Sequence, residues 1–114
     1  MYRQAGIDDP RHDLDCAEVY VPFSWFEPMW LENLGFCAEG DGWKLTELGA
    51  TAMGGDIPWN PSGGVLSTNP IGASGLRQVH EVVLQLRGEA GDRQVPGSPK
   101  VGRASCRERV WIPV

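Results

Sequence analysis

The chain has little cysteine, no long apolar run and no basic excess, and each shortage closes off a class of function. Its three cysteines, Cys16, Cys37 and Cys106, are odd in number and widely spaced. That pattern matches neither a metal knuckle nor a disulfide framework, so a reducing, cytoplasmic setting is expected. No segment approaches the ~20 apolar residues that a membrane-spanning helix needs. The first residues, MYRQAGIDDPRHD, lack an apolar signal region. Ten basic residues face fifteen acidic ones, a net charge of −5. Nucleic acid is a poor partner for such a chain, because phosphates call for a basic face.

What is present suits one small domain. The length is 114 residues with 41% hydrophobic content, and 15 glycines and 9 prolines point to many loops. DCAEVYV, residues 15–21, reads as a short strand that ends at Pro22. SWFEPMWLENLGF reads as a helix. Ser24 and Glu27 have capping-box spacing, Pro28 falls in the first turn, Phe26, Met29, Trp30 and Leu34 form a stripe, and Gly35 is a C-cap. Residues 37–57 are rich in small residues and read as an irregular excursion. Val65 and Leu66 suggest a short strand after Gly63-Gly64. A second helix is predicted from about Gly72 to Arg87, with Leu76, Val79, Val83 and Leu86 on its apolar face. Arg77 and Glu81 stand one turn apart on the other face, and Gly88 is the cap. No internal repeat is visible.

The loop STNPIGASG, residues 67–75, feeds that second helix. It meets neither the dinucleotide G-x-G-x-x-G pattern nor the P-loop ending in Gly-Lys-Ser/Thr. Two readings stay open from the residues alone: a helix N-terminus that offers N–H groups to an anion, or a tight turn that packs the helix on a sheet.

The longer run NPSGGVLSTNPIGASG is similar to the thiolase stretch N-x-x-G-G followed by G-H-P-x-G-A-S/T-G. EVYVPFS lies where thiolases carry a strand that ends in N-E-A-F, or in H-D-x-F in the sterol-carrier type. WFEPMWLENLGF and LQLRGEAGDRQVPG resemble the lipid-transfer and acetyl-CoA acetyltransferase-like subgroup. The likeness covers about residues 1–100, a piece of the C-terminal half. It implies an α/β fold: a thiolase-like, layered α/β domain whose sheet is incomplete here.

The resemblance further implies acyl transfer on coenzyme A thioesters as substrate, with no bound cofactor. It also implies an oligomeric parent, as a homo-oligomer or with a small partner subunit. In thiolases a cysteine of the N-terminal half attacks the thioester. The histidine of G-H-P and the asparagine of N-E-A-F serve the developing oxyanion. Asn69 stands here where that histidine is expected, and the loop from Gly64 is one residue shorter. Tyr20 and Val21 replace the strand-end pair. Asn69 and Tyr20 are thus the candidate catalytic residues, each able to donate a hydrogen bond. Asn69 cannot serve as a base, because its amide does not titrate. Gly63, Gly64, Gly72, Ser74 and Gly75 are the candidate substrate-binding residues, with no metal ligand among them. A relative that has lost Claisen chemistry is the alternative, either a carbon–carbon lyase or a non-catalytic acyl-CoA- or lipid-binding subunit. Cys16 and Cys37 read as inert thiols, His80 as a surface or core residue, and His12 has no recognisable partner. As a piece, the isolated chain is expected to lack acyl-transfer activity.

The end changes character. The segment from Gly102 holds Arg103, Arg107 and Arg109 against one acid, Glu108. GRASCRERV resembles one reading frame of a sequencing adapter. Residues 101–114 are therefore expected to be a non-family tail, set apart from the domain at 1–100.

Overall fold

The computed structural model describes residues 2–68, 70–97 and 101–104, the last four through their backbone only. The start is a 3-10 turn, Tyr2–Ala5, and a one-turn helix α1 (Pro10–Asp13). Asp9 caps α1 by accepting the Arg11 N–H, and Pro10 takes the position where a missing donor costs least. The His12 ring lies 2.8 Å from Asp9 Oδ2, so this histidine has a partner that sequence reading did not supply.

Strand β1 (Cys16–Val19) is buried along its whole length. Its pleat sends alternate side chains to opposite faces. Ala17, Val19 and Val21 join Leu14, Leu31, Phe36, Ile57 and Trp59 in one core, where Phe36 and Trp59 meet edge-on at 5.4 Å. Cys16 faces the other way, into a smaller cluster with Val82 and Val95. Along β1 runs the segment 58–60: Ala17 N–H donates to Pro58 O, and Asn60 N–H donates to Ala17 O. A strand β2 (Val101–Ala104) pairs parallel with β1 in the register Cys16 to Val101. Among the described residues the sheet is these two strands, so the expected layered sheet is not seen in full.

Helix α2 (Phe26–Asn33) follows β1, and Gly35 closes it with φ 79°. The expected capping box is not formed. The N-cap is Trp25, without a side-chain cap bond, and the Glu27 carboxylate instead accepts from Thr46 Oγ1. That bond ties α2 to a helix that composition had hidden: α3 (Gly42–Glu47) lies inside the expected irregular excursion. Its glycines and small residues masked it, yet Gly42 is required for packing. A Cβ there would sit 2.3 Å from Pro28 O. Val65 and Leu66 lie in a turn rather than a strand, with Val65 buried and Leu66 60% exposed.

Helix α4 (Ser74–Arg87) ends at Gly88, φ 69°, as expected. Its orientation is the main correction. The buried side is Ser74, Gln78, Glu81, Val82 and Gln85, while Leu76 is 74% exposed. Ser74, Glu81 and Gln85 are tolerated inside because each is hydrogen-bonded there. Glu81 pairs with Arg93 at 3.1 Å. Gln85 accepts from Val95 N–H, donates to Arg93 O and Glu81, and is met by Gln94. Buried polar groups are tolerated when they are hydrogen-bonded, and here they fasten the following segment onto the helix. Arg77 does not pair with Glu81; it reaches Ser62.

Candidate functional site

The site is built where β1 ends, the loop from Asn60 begins and α4 starts. Asn60 is locked to the strand: its Oδ1 accepts the Val19 N–H at 2.6 Å, and its own N–H donates to Ala17 O. Its φ is 53°, a left-handed conformation that asparagine tolerates better than most residues. Gly63 and Gly64 follow with φ of 90° and 60°. A Cβ on Gly63 would lie 2.9 Å from Ser67 Oγ, and one on Gly64 would press on the Asn60 amide. These glycines are therefore required by backbone geometry and close approach, whatever else they touch. Ser67 Oγ closes the turn by donating to Gly64 O at 3.0 Å.

Past the loop, Ile71 is exposed with φ 42°. A β-branched residue in that region is an outlier, and such strain concentrates where surrounding structure holds a chain in place for use. A 3-10 turn (Ile71–Ala73) then leads into α4. Ser74 is buried at 4% exposure, and its hydroxyl donates to Ile71 O at 2.9 Å. Gly75 is half-buried in the first turn of α4, and Gly72 is exposed with open space around its Cα. Asn69 lies outside the described residues.

Tyr20 comes directly after β1. It stands between Val19 and Val21, both of which face the main core. It is half-buried, and its backbone carbonyl accepts the Trp30 Nε1–H at 3.0 Å, which fixes the strand end against α2.

The most constrained polar group nearby is one that no motif marks. Glu18 is fully buried at 0% exposure. Its Oε1 accepts the Ser62 N–H at 2.8 Å and its Oε2 accepts the Ser62 hydroxyl at 2.9 Å. Burial pushes its carboxyl up to about 7, while both Ser62 hydrogen bonds and the nearby Arg77 pull the other way. The visible signal was one acid inside the apolar run C-A-E-V-Y-V. Arg77 Nη1 contacts Ser62 Oγ at 3.2 Å, and its Nε and Nη2 are buried without a partner among the described residues, as are both amide atoms of Gln78.

The two described cysteines are poor nucleophiles. Burial, then the neighbouring carboxylates, pushes the Cys16 thiol up to about 12, and burial also raises Cys37. Among the described residues no cluster of His, Cys, Asp or Glu is arranged to hold a metal ion. No helix there is long and apolar enough to cross a membrane. His80 is exposed on α4. An open cleft of about 310 Å³, lined by Asp15, Met53, Asp56 and Val95 among others, includes none of the candidate residues.

The family model "Thiolase C-terminal domain-like" matches residues 1–104, which includes the four residues of β2. The chain is 49% identical over 87 residues to an acetyl-CoA acetyltransferase of Methanothermobacter thermautotrophicus, covering 75% of this chain and 23% of that protein. It is 45% identical over 98 residues to human sterol carrier protein 2, covering 85% of this chain and 18% of that one. A solved structure, the Ltp2-ChsH2(DUF35) aldolase, superposes with TM-score 0.76 at 29% identity, over 88% of this chain and 25% of the other. The chain thus spans about a fifth of the length of these curated relatives.

Proposed function

Because the chain belongs to the thiolase C-terminal domain-like family, we propose that it forms the oxyanion-side wall of an enzyme acting on acyl-CoA thioesters, of the acetyl-CoA acetyltransferase type. The observation that carries this reading is the convergence of three elements: the β1 end with Tyr20, the Asn60–Ser67 loop pinned to β1, and the strained entry to α4. In this reading Tyr20 and Asn69 donate hydrogen bonds to the thioester oxygen as it gains negative charge. The fixed turn at Gly63-Gly64 and the helix start at Gly72, Ser74 and Gly75 let backbone approach the acyl group. In this reading Cys16 and Cys37, whose thiols burial raises, do not attack, and the nucleophile is a cysteine of the N-terminal half of the whole protein. The working protein is an oligomer, with itself or with a small partner subunit.

A carbon–carbon lyase is the second reading. It is favoured by the aldolase structure matched at TM-score 0.76 and by Asn69, which cannot serve as a base where thiolases carry a histidine. The reactions differ in stoichiometry. Thiolysis of acetoacetyl-CoA consumes free CoA and yields two thioesters, whereas retro-aldol cleavage of a β-hydroxyacyl-CoA consumes none and releases a carbonyl compound. The test is to assay the whole protein on both substrates, with Tyr20→Phe alongside. CoA-dependent thiolysis that falls about 100-fold in the variant supports acyl transfer with Tyr20 as a donor. CoA-independent release of aldehyde or ketone supports the lyase, and inactivity on both substrates refutes both.

A further inference from the structure

Ser62 is saturated. Its hydroxyl donates to Glu18 Oε2 at 2.9 Å and accepts from Gly64 N–H at 3.3 Å and Arg77 Nη1 at 3.2 Å. A hydroxyl has one proton and two lone pairs, so no capacity is left. Its backbone N–H is also spent on Glu18, and its carbonyl lies 3.5 Å from Arg77 Nη1. This one residue therefore joins β1, the Asn60–Ser67 loop and α4.

We propose that Glu18 is a positioning residue which, as a carboxylate, holds the Asn60–Ser67 loop through Ser62 beside the Tyr20 end of β1, and which releases it when protonated. The reason is donor counting. A carboxylate only accepts, and it takes both Ser62 protons. Protonation on Oε2 weakens it as an acceptor for the Ser62 hydroxyl and turns a donor toward an oxygen whose lone pairs are already filled, so the longest of the hydroxyl's three bonds, the 3.3 Å one from Gly64 N–H, is the one that yields. The forces around Glu18 agree. The Ser62 bonds favour the ionised form, so by reciprocity ionisation strengthens those bonds. The charged and titratable groups facing it are Arg77 and Glu81 from α4 and Cys16 on its own strand, while Arg103 holds the register position opposite it in β2.

The inference rests on the loop geometry and is independent of any acyl-transfer activity. Its test is amide hydrogen exchange on the whole protein, followed at Ser62–Val65 from pH 5.5 to 8.5 and corrected for intrinsic rates. In the wild type the Gly64 amide loses about tenfold in protection toward low pH, with a midpoint near 7. Glu18→Gln, which does not titrate, removes the step. Ser62→Ala removes the Gly64 protection at every pH and, by deleting one bond to the ionised form, raises the Glu18 midpoint read by carboxyl ¹³C NMR. A flat wild-type profile, or a step that survives Glu18→Gln, overturns the proposal. Should Glu18→Gln fail to fold, an unmoved Glu18 midpoint in Ser62→Ala overturns it instead.

Discussion

Replacing Glu18 by glutamine should remove a loss of stability that the wild type suffers as the pH rises from 4.5 to 7. The folded-state carboxyl titrates at about 7 against an ordinary value of 4.5, because burial outweighs the Ser62 bonds. A group raised on folding favours the native state when protonated. Its contribution is fully present below pH 4.5, declines between 4.5 and 7, and is absent above 7. The gap between those two values corresponds to about 3 kcal/mol, undiscounted because the side chain is fully shielded from solvent. The glutamine side chain does not titrate and carries no such dependence. The stability difference, variant minus wild type, should therefore rise by about 3 kcal/mol from pH 4.5 to pH 8, all other titrations being common to both proteins. Urea denaturation at half-unit pH steps measures it. A pH-independent difference, or one that falls with pH, would refute the account of Glu18 as a carboxylate held against its solvation. Global stability and local hold run in opposite directions here: protonation relieves the burial of charge while freeing the loop.

Other outcomes follow from single contacts. Gln85→Ala strands the buried Val95 N–H and removes one of the acceptors of Gln94, and should lower stability by roughly 1–3 kcal/mol in urea unfolding. Gly42→Ala drives a methyl to 2.3 Å from Pro28 O and should cost roughly 1–3 kcal/mol, loosening α3 from α2, seen as faster amide exchange in both helices. Cys16, with its thiol pushed up to about 12, should resist alkylation at pH 8 under conditions that modify an unfolded control fully, as peptide mapping would show.

Local chemistry explains what could be read in advance. The strand at DCAEVYV, the helix after Trp25, the caps at Gly35 and Gly88 and the family motifs all rest on residue types whose preferences act over a few positions. Helix α3 escaped because Gly42, Gly49 and the small residues after it carry weak propensity, and its position is set by Thr46 bonding to Glu27 and by Gly42 meeting Pro28. The buried face of α4 differs from its apolar stripe for a related reason. Apolar spacing picks the buried side only when polar residues have no better partner than water.

The sequence alone determined the kind of chain this is: the family, the strand at DCAEVYV, and the helices that end at Gly35 and Gly88. It could not determine that Glu18, Glu81 and Gln85 would be buried while Leu76 stayed in solvent. That outcome depends on partners far along the chain, with Ser62 lying 44 residues from Glu18 and Arg93 lying 12 from Glu81. A buried polar group is costly alone and acceptable when paired, and only the tertiary structure decides which groups find a pair.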